Sequence, residues 1–345
     1  MDTVTTMGCD PHLDTISAAV VDEIGRELGA VTVPNTLTGW ARLAELATEF
    51  QVVTVGIEGA SGYGVSLTRI LDGLGFEVRE IPTRLTAERR KAEGRSKTDP
   101  GDARAIARAA AAGEGHRWAD TPDSEIIRIL TVRREQLVTQ QTADINQLRA
   151  FVTELDPDRS ATASRLRTVR GLRRFTQFDA EDPTGFDQAL LELIGQIVET
   201  CIVRIGEIKA LEERMQEALP PVGHALVERF FGCGLVTACQ IIAETAGIDG
   251  FATDAKFAAW SGAAPLDASS GRQQFHRLNR GGNRQVNRAL HTIVVTQLRN
   301  GGDAADFASR HNPENKDALR KRTIRAAKRH VARQVWKTFR DHGLT

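Results

Sequence analysis

No apolar run in the 345 residues approaches the roughly 20 that cross a bilayer, and no basic flank followed by an apolar core opens the chain. Neither a membrane span nor a secretory signal is expected, and a cytoplasmic protein is. Paired cysteines are lacking as well. Cys9, Cys201, Cys233 and Cys239 stand without Cys-x-x-Cys spacing, which argues against a cysteine zinc site and against a disulfide framework. They are expected to be reduced and mostly in the core. Net charge is also missing, with 45 Lys+Arg against 45 Asp+Glu. That balance excludes little, because opposite charges can be segregated along the chain.

They are segregated. From Arg272 onward there are 17 Lys+Arg and 5 Asp+Glu, which leaves 28 and 40 before it. A basic C-terminal block of this kind is the electrostatic footprint of a surface that meets phosphate backbones, although a charge run is as often only a solvated helix face. With 41% hydrophobic and 26% charged residues the composition is that of a folded protein, and the length suggests two or three domains.

Turn signals divide residues 4 to 34 into three strands, Val4 to Cys9, Thr15 to Val21 and Gly29 to Val33. A helical stretch Leu37 to Phe50, the apolar run Val52 to Ile57, a helix from about Ser66 to Leu74 and a strand near Glu77 to Ile81 follow. Three strands and then helix, strand, helix, strand is the order of an RNase H-like α/β domain. Farther on, Ile127, Leu130, Leu137, Ile145, Leu148, Val152 and Leu155 recur at helical steps, interrupted by Arg134 and Gln141. Leu190, Ile194, Ile197, Cys201, Ile205, Ile208, Leu211 and Met215 repeat the pattern until Pro220-Pro221 stops it. Two such helices are expected to pair as an antiparallel coiled coil, within the chain or as a dimerising arm. Phe231-Gly232-Cys233-Gly234 then leads into another helix, most simply as a tight turn.

Four acids carry the chemistry expected of the chain. Asp10 ends the first strand, Glu58 closes the second apolar run, and Asp99 and Asp102 lie three apart at the start of a helix, on one face. Each has an ordinary explanation as well: Asp99 before Pro100 reads as an N-cap, Asp102 as the N3 acid meeting the helix dipole, Asp10 as a turn residue and Glu58 as a loop acid. As a set they would repel one another unless divalent cations neutralised them, and hard oxygen ligands select Mg²⁺ or Mn²⁺. Two such ions about 4 Å apart clamp a scissile phosphate in an in-line displacement. Lys97, with Arg89, Arg90, Lys91 and Arg95, would contact the phosphate backbone around them.

Gly8-Cys9-Asp10, Ile57-Glu58-Gly59-Ala60-Ser61-Gly62-Tyr63 and Lys97-Thr98-Asp99-x-x-Asp102-Ala103 resemble the acidic motifs of the insertion-sequence-110 family of transposases, which are related to Piv-type invertases. Phe231-Gly232-Cys233-Gly234-x-x-Thr237-Ala238, Trp260-Ser261-Gly262-Ala263-Ala264-Pro265, Ser269-Ser270-Gly271 and Asn279-Arg280-Gly281-Gly282-Asn283-Arg284 are similar to that family's second domain. Pro100-Gly101 departs from the bulkier pair more usual there.

The resemblance implies a RuvC-like catalytic domain over 1–115, a helical coiled-coil connection over 116–221 and a mostly helical transposase domain with a basic tail over 222–345. It implies Asp10, Glu58, Asp99 and Asp102 as ligands of two Mg²⁺ and Ser270, or its neighbour Ser269, as nucleophile. A phosphoserine intermediate would keep the phosphodiester energy, so that strands reseal without ATP. Lys97, Arg95, Arg272, Arg277, Arg280, Arg284 and Arg288 are the expected nucleic-acid contacts. Donor and target DNA, a structured non-coding guide RNA and a dimeric or tetrameric assembly are the implied partners. A RuvC-type junction nuclease without a serine step, a site-specific DNA invertase and a non-enzymatic DNA-binding regulator are the alternatives.

Overall fold

The computed structural model describes residues 4–60, 62–92, 98–160, 166–175, 177, 184–267, 276–277, 279, 281–311 and 321–343. The chain opens with three antiparallel strands, β1 (Thr5–Pro11), β2 (Thr15–Val21) and β3 (Glu27–Pro34). Then come α1 (Leu37–Glu49), β4 (Val52–Ile57), α2 (Val65–Gly73), β5 (Glu77–Glu80), α3 (Thr83–Ala92), α4 (Asp99–Ala111) and the short β6 (His116–Arg117). One sheet holds all six strands in the order β3-β2-β1-β4-β5-β6. β1, β4 and β5 run parallel, as the intervening helices α1 and α2 require, and β6 closes the edge antiparallel to β5. This is the RNase H-like order expected from the sequence; β6 was not foreseen, because two residues carry no periodicity.

The faces of the sheet follow from alternation along the strands. Met7, Cys9, Val55 and Ile57 pack with Leu43, Leu46 and Ala47 of α1 and Leu67 and Leu71 of α2. Gly8 and Gly56, directly paired between β1 and β4, point the other way, toward α4. A Cβ at Gly8 would lie 2.2 Å from the backbone nitrogen of Ala107 and 2.3 Å from the carbonyl oxygen of Ala103. At Gly56 it would meet the Cβ of Ala110 at 2.8 Å. Two glycines on the sheet and an alanine-rich helix face, with Ala103, Ala107 and Ala110 buried, thus let α4 lie directly on β1 and β4.

Residues 1–125 and 244–345 make one compact unit, and 126–243 the other. In the second unit lie most of α5 (Pro122–Leu155), the short α6 (Pro157–Ser160) and α7 (Val169–Phe175), α8 (Gly185–Ala218), α9 (Pro221–Arg229) and most of α10 (Leu235–Thr245). The two 34-residue helices α5 and α8 pair antiparallel. Arg134 bonds Glu212, Arg204 bonds Asp144, and Gln141 donates to the carbonyl of Cys201 at 3.4 Å. Both polar interruptions in the α5 pattern are therefore matched on α8. Ile145, Leu148 and Val152 bury with Ile194, Val198 and Cys201; Val198 is the more deeply buried position where the periodicity pointed to Ile197.

The C-terminal part of the first unit holds α11 (Asp254–Trp260), a two-stranded hairpin of β7 (Leu266–Asp267) and β8 (His276–Arg277), α12 (Arg284–Asn300), α13 (Asp303–His311) and α14 (Lys321–Asp341). It is tied to the sheet domain by the Trp118–Ile248 bridge and by the backbone bond from Asp249 to Arg117. Phe251, Phe257, Trp260 and Phe339 form its aromatic centre. All four cysteines are buried and free, as expected. No helix among the described residues is long and apolar enough to cross a membrane.

Candidate metal centre

The face that admits α4 is also the face on which the acids gather. Asp10 has the same parity as Gly8 on β1, and Glu58 the same parity as Gly56 just past β4, where its backbone N–H bonds the carbonyl of Cys9 at 3.2 Å. α4 begins above them. Its N-cap is Thr98, so Asp99 is the first helical residue and Pro100 the second. This corrects the reading of Asp99 as N-cap and Asp102 as the N3 acid. The Thr98 side chain makes no cap bond, the Asp102 N–H bonds the carbonyl of Thr98, and neither acid is consumed in capping.

Asp10 is the electrostatic centre of the group. Its side chain is 10% exposed, and its carboxyl is pushed up to about 6. Burial is the largest cause; His12 opposes the shift, while Glu58, Asp102 and Asp99 each add to it. The negative charges of Glu58, Asp99 and Asp102 are all felt at Asp10. Asp102 is as deeply buried, with a 6% exposed side chain held by Arg90; Asp99 is 56% exposed and Glu58 half-buried.

Sequence reasoning missed His12 as part of this group. Its Nε2 lies 3.4 Å from Asp10 Oδ2 and 3.5 Å from Asp99 Oδ1, and one ligand atom from each of the three lies within 4.8 Å of the others. The signal was there: residues i and i+2 of an extended segment share a face, so Asp10 and His12 point together. The donor set fits a divalent cation, since a buried carboxylate that feels the charge of three other acids and a sealed imidazole nitrogen without a hydrogen bond both gain from a shared positive charge. Arg90 and Arg89, read from sequence as phosphate contacts, are instead bonded to Asp102 and Glu114.

The other predicted contacts divide. Lys97, Arg95, Ser269, Ser270, Arg272 and Arg280 lie outside the described residues; so does the side chain of Arg277, whose backbone pairs with Leu266 in the hairpin. Arg284 and Arg288 are exposed on α12. Part of the basic tail is spent internally: Arg329 and Arg333 bond Asp254, and the buried Lys328 donates to Asn287 Oδ1 at 2.7 Å. A cleft of about 1710 Å³ opens within the first unit. Arg79, Arg84, Arg117, Lys256 and Arg325 line it beside Trp260, while its acids Glu88 and Asp249 are paired with Arg84 and Arg117. His116 is lowered by burial and by the nearby charges of Arg79 and Lys256, in keeping with a positive wall.

Two family profiles match the chain. Residues 7–157 match the DEDD transposase of the IS110 group, and residues 224–309 match the transposase IS116/IS110/IS902 family. Among solved structures, RuvC of Thermus thermophilus in complex with a Holliday junction substrate is similar at 17% identity over 33% of this chain and 99% of that one, with a TM-score of 0.28. A second Thermus thermophilus RuvC structure is similar at 15% identity with the same coverage and a TM-score of 0.27. None of the curated proteins compared with the chain matches it significantly. Two successive profiles of one family, in the family's order and together matching most of the chain, lead to one conclusion: the chain belongs to the IS110 family of DEDD transposases, enzymes that cut DNA and transfer its strands.

Proposed function

We propose that this transposase exchanges strands between donor and target DNA by transesterification through Ser270, at a centre of Asp10, Glu58, Asp99 and Asp102 that holds two Mg²⁺, with Mn²⁺ as a substitute. The observation that carries the reading is the cluster of Asp10, His12 and Asp99, whose ligand atoms lie within 4.8 Å of one another, with the charges of Glu58 and Asp102 also felt at Asp10. Bound ions supply charge neutralisation and activation of the attacking and leaving oxygens. Asp10 and Asp102 hold that charge from rigid elements, a central strand and the first turn of α4.

The serine Oγ attacks the scissile phosphorus and forms a phosphoserine bond; the P–O bond to one strand breaks and its oxygen takes a proton. In reversal, the hydroxyl of the exchanged strand attacks the phosphoserine, the diester re-forms and the serine regains its proton. On this reading 1–115 is the catalytic module, 116–221 a coiled-coil connection between modules, and 222–345 the module of the nucleophile and the basic tail. The basic cleft, with Arg284 and Arg288, supplies phosphate contacts that position without reading sequence. Arg95, Lys97, Arg272, Arg277 and Arg280 add to them. A structured guide RNA, a dimeric or tetrameric assembly and action in the cytoplasm complete the proposal.

The test is a strand-exchange assay with the element's own ends. The wild type is expected to leave a covalent protein–DNA adduct in Mg²⁺; Ser270→Ala abolishes it and Ser269→Ala keeps it. Cleavage by Ser270→Ala without any adduct would replace the serine reaction by metal-dependent hydrolysis, the chemistry of a junction nuclease.

A further inference from the structure

We propose that His12 is a nitrogen ligand of the Asp10–Asp99 ion position and tilts that position from Mg²⁺ toward Mn²⁺. The inference rests on the metal centre proposed above and names a donor that the four-acid motif does not contain.

Three observations carry it. His12 Nε2 is sealed from solvent and has no hydrogen bond, although the side chain as a whole is 43% exposed, so the ring turns its wet edge outward and this one nitrogen inward. It faces both carboxylates at nearly equal distances, 3.4 Å and 3.5 Å, longer than a good charge-assisted hydrogen bond and of the spacing kept by donors around a common ion. The Asp10 side chain, nine-tenths buried, has no hydrogen-bond donor other than this nitrogen within reach among the described residues.

The backbone that carries the ring is also held in place. The His12 N–H bonds the carbonyl of Thr15 at 2.8 Å, and its own carbonyl accepts from Asn35 Nδ2 at 2.8 Å. Asn35 is anchored in turn by Trp40, whose indole N–H donates to it at 2.7 Å. A ligand whose backbone is fixed before the ion arrives loses less entropy on binding.

The consequence for selectivity is chemical. Mg²⁺ is hard, demands octahedral oxygen and sheds water reluctantly, whereas Mn²⁺ accepts oxygen ligands and binds imidazole more readily. Asp102 sits apart from the triad, occupied by Arg90, so this position has to be built from Asp10, Asp99 and His12.

The full-length protein is loaded with one equivalent of Mn²⁺ and studied by electron spin-echo spectroscopy, and Mn²⁺ and Mg²⁺ are each titrated calorimetrically. The wild type is expected to show a directly bound ¹⁴N coupling. His12→Ala is expected to lose it, with Mn²⁺ affinity down about tenfold or more and Mg²⁺ affinity down less. His12→Asp, which offers oxygen in place of nitrogen, is expected to restore Mg²⁺ binding without the coupling and without the Mn²⁺ preference. A wild type with Mn²⁺ bound but no ¹⁴N coupling, or an unchanged Mn²⁺/Mg²⁺ ratio in His12→Ala, overturns the role of His12 and leaves the acids as the metal centre. A wild type that binds neither ion while Asp10→Asn behaves identically overturns both.

Discussion

The guanidinium of Arg90, on α3, closes on the carboxylate of Asp102 in the first turn of α4, and thereby holds one of the four proposed metal ligands as an ion pair. Asp102 is 6% exposed and Arg90 22%, so neither charge has much water to replace its partner. In the absence of a divalent ion the pair offsets part of the repulsion felt by the four acids.

Arg90→Ala should therefore destabilise the metal-free protein, because it leaves a buried carboxylate uncompensated. Breaking such pairs costs about 3 to 5 kcal/mol when burial is complete, and the partial exposure of Arg90 reduces this to roughly 2 to 4 kcal/mol. Thermal melts in chelator and in Mg²⁺ check it: the gap between the two should widen in the variant, since a cation replaces the lost arginine. An equal loss under both conditions would mean that Arg90 acts only as a packing residue.

Asp10→Asn should act in the opposite sense on the metal-free fold. The Asp10 carboxyl titrates at about 6 rather than at the model-peptide 3.8, so the native state keeps its proton where the unfolded chain has lost it. Stability in chelator should fall as pH rises from about 4 through 6, by at most about 3 kcal/mol for this shift. The asparagine variant should show a flatter profile, a higher melting temperature near neutral pH and no gain from Mg²⁺. Denaturant unfolding at a series of pH values measures all three.

Gly8→Ala should cost about 3 kcal/mol or more and abolish strand transfer, because its Cβ meets helix backbone at 2.2 Å and 2.3 Å rather than a side chain that can turn away. Gly56→Ala should be milder, its nearest neighbours being the side chains of Ala110 and Ile106. Gly195→Ala serves as the control: Gly195 is exposed within α8 with open space around it, and the substitution should stabilise by roughly 0.5 to 1 kcal/mol. Melting temperatures rank the three.

Lys256→Ala and Arg325→Ala, both exposed on the wall of the cleft, should weaken binding of short DNA about equally for unrelated sequences. Each should lower the slope of log affinity against log salt by about 1 if it contacts a phosphate. Anisotropy titrations in Asp10→Asn, which is expected not to cleave, measure the slopes; unchanged slopes would place the nucleic acid elsewhere.

Much of the fold was legible because its signals are local. The alternation of β1 to β3, the helical stretches and the stops at Pro220-Pro221 appear in the structure within a residue or two of the expected bounds. Asp10, Glu58, Asp99 and Asp102 were legible one by one from strand ends and helix spacing. His12 was legible in principle, two residues after Asp10. Arg90 as the partner of Asp102 was not: the two are twelve residues apart on different helices, and nothing local couples them. Nor does any local pattern say that Arg329 and Arg333 are spent on Asp254.

The sequence by itself determined which segments become strands and helices, and that four acids lie where such elements begin or end, because periodicity, capping and turn chemistry act over a few neighbouring residues. Only the tertiary structure decided that Asp99 stands beside Asp10 and His12, and that Asp102 and Glu58 are near enough for their charges to be felt at Asp10. The register that pairs Gly8 with Gly56 and the bare backbone there let α4 lie against the sheet, and with it Asp99 is brought to the ligand atoms of Asp10 and His12. Close approach of segments some ninety residues apart is set by packing, which no window along the chain contains.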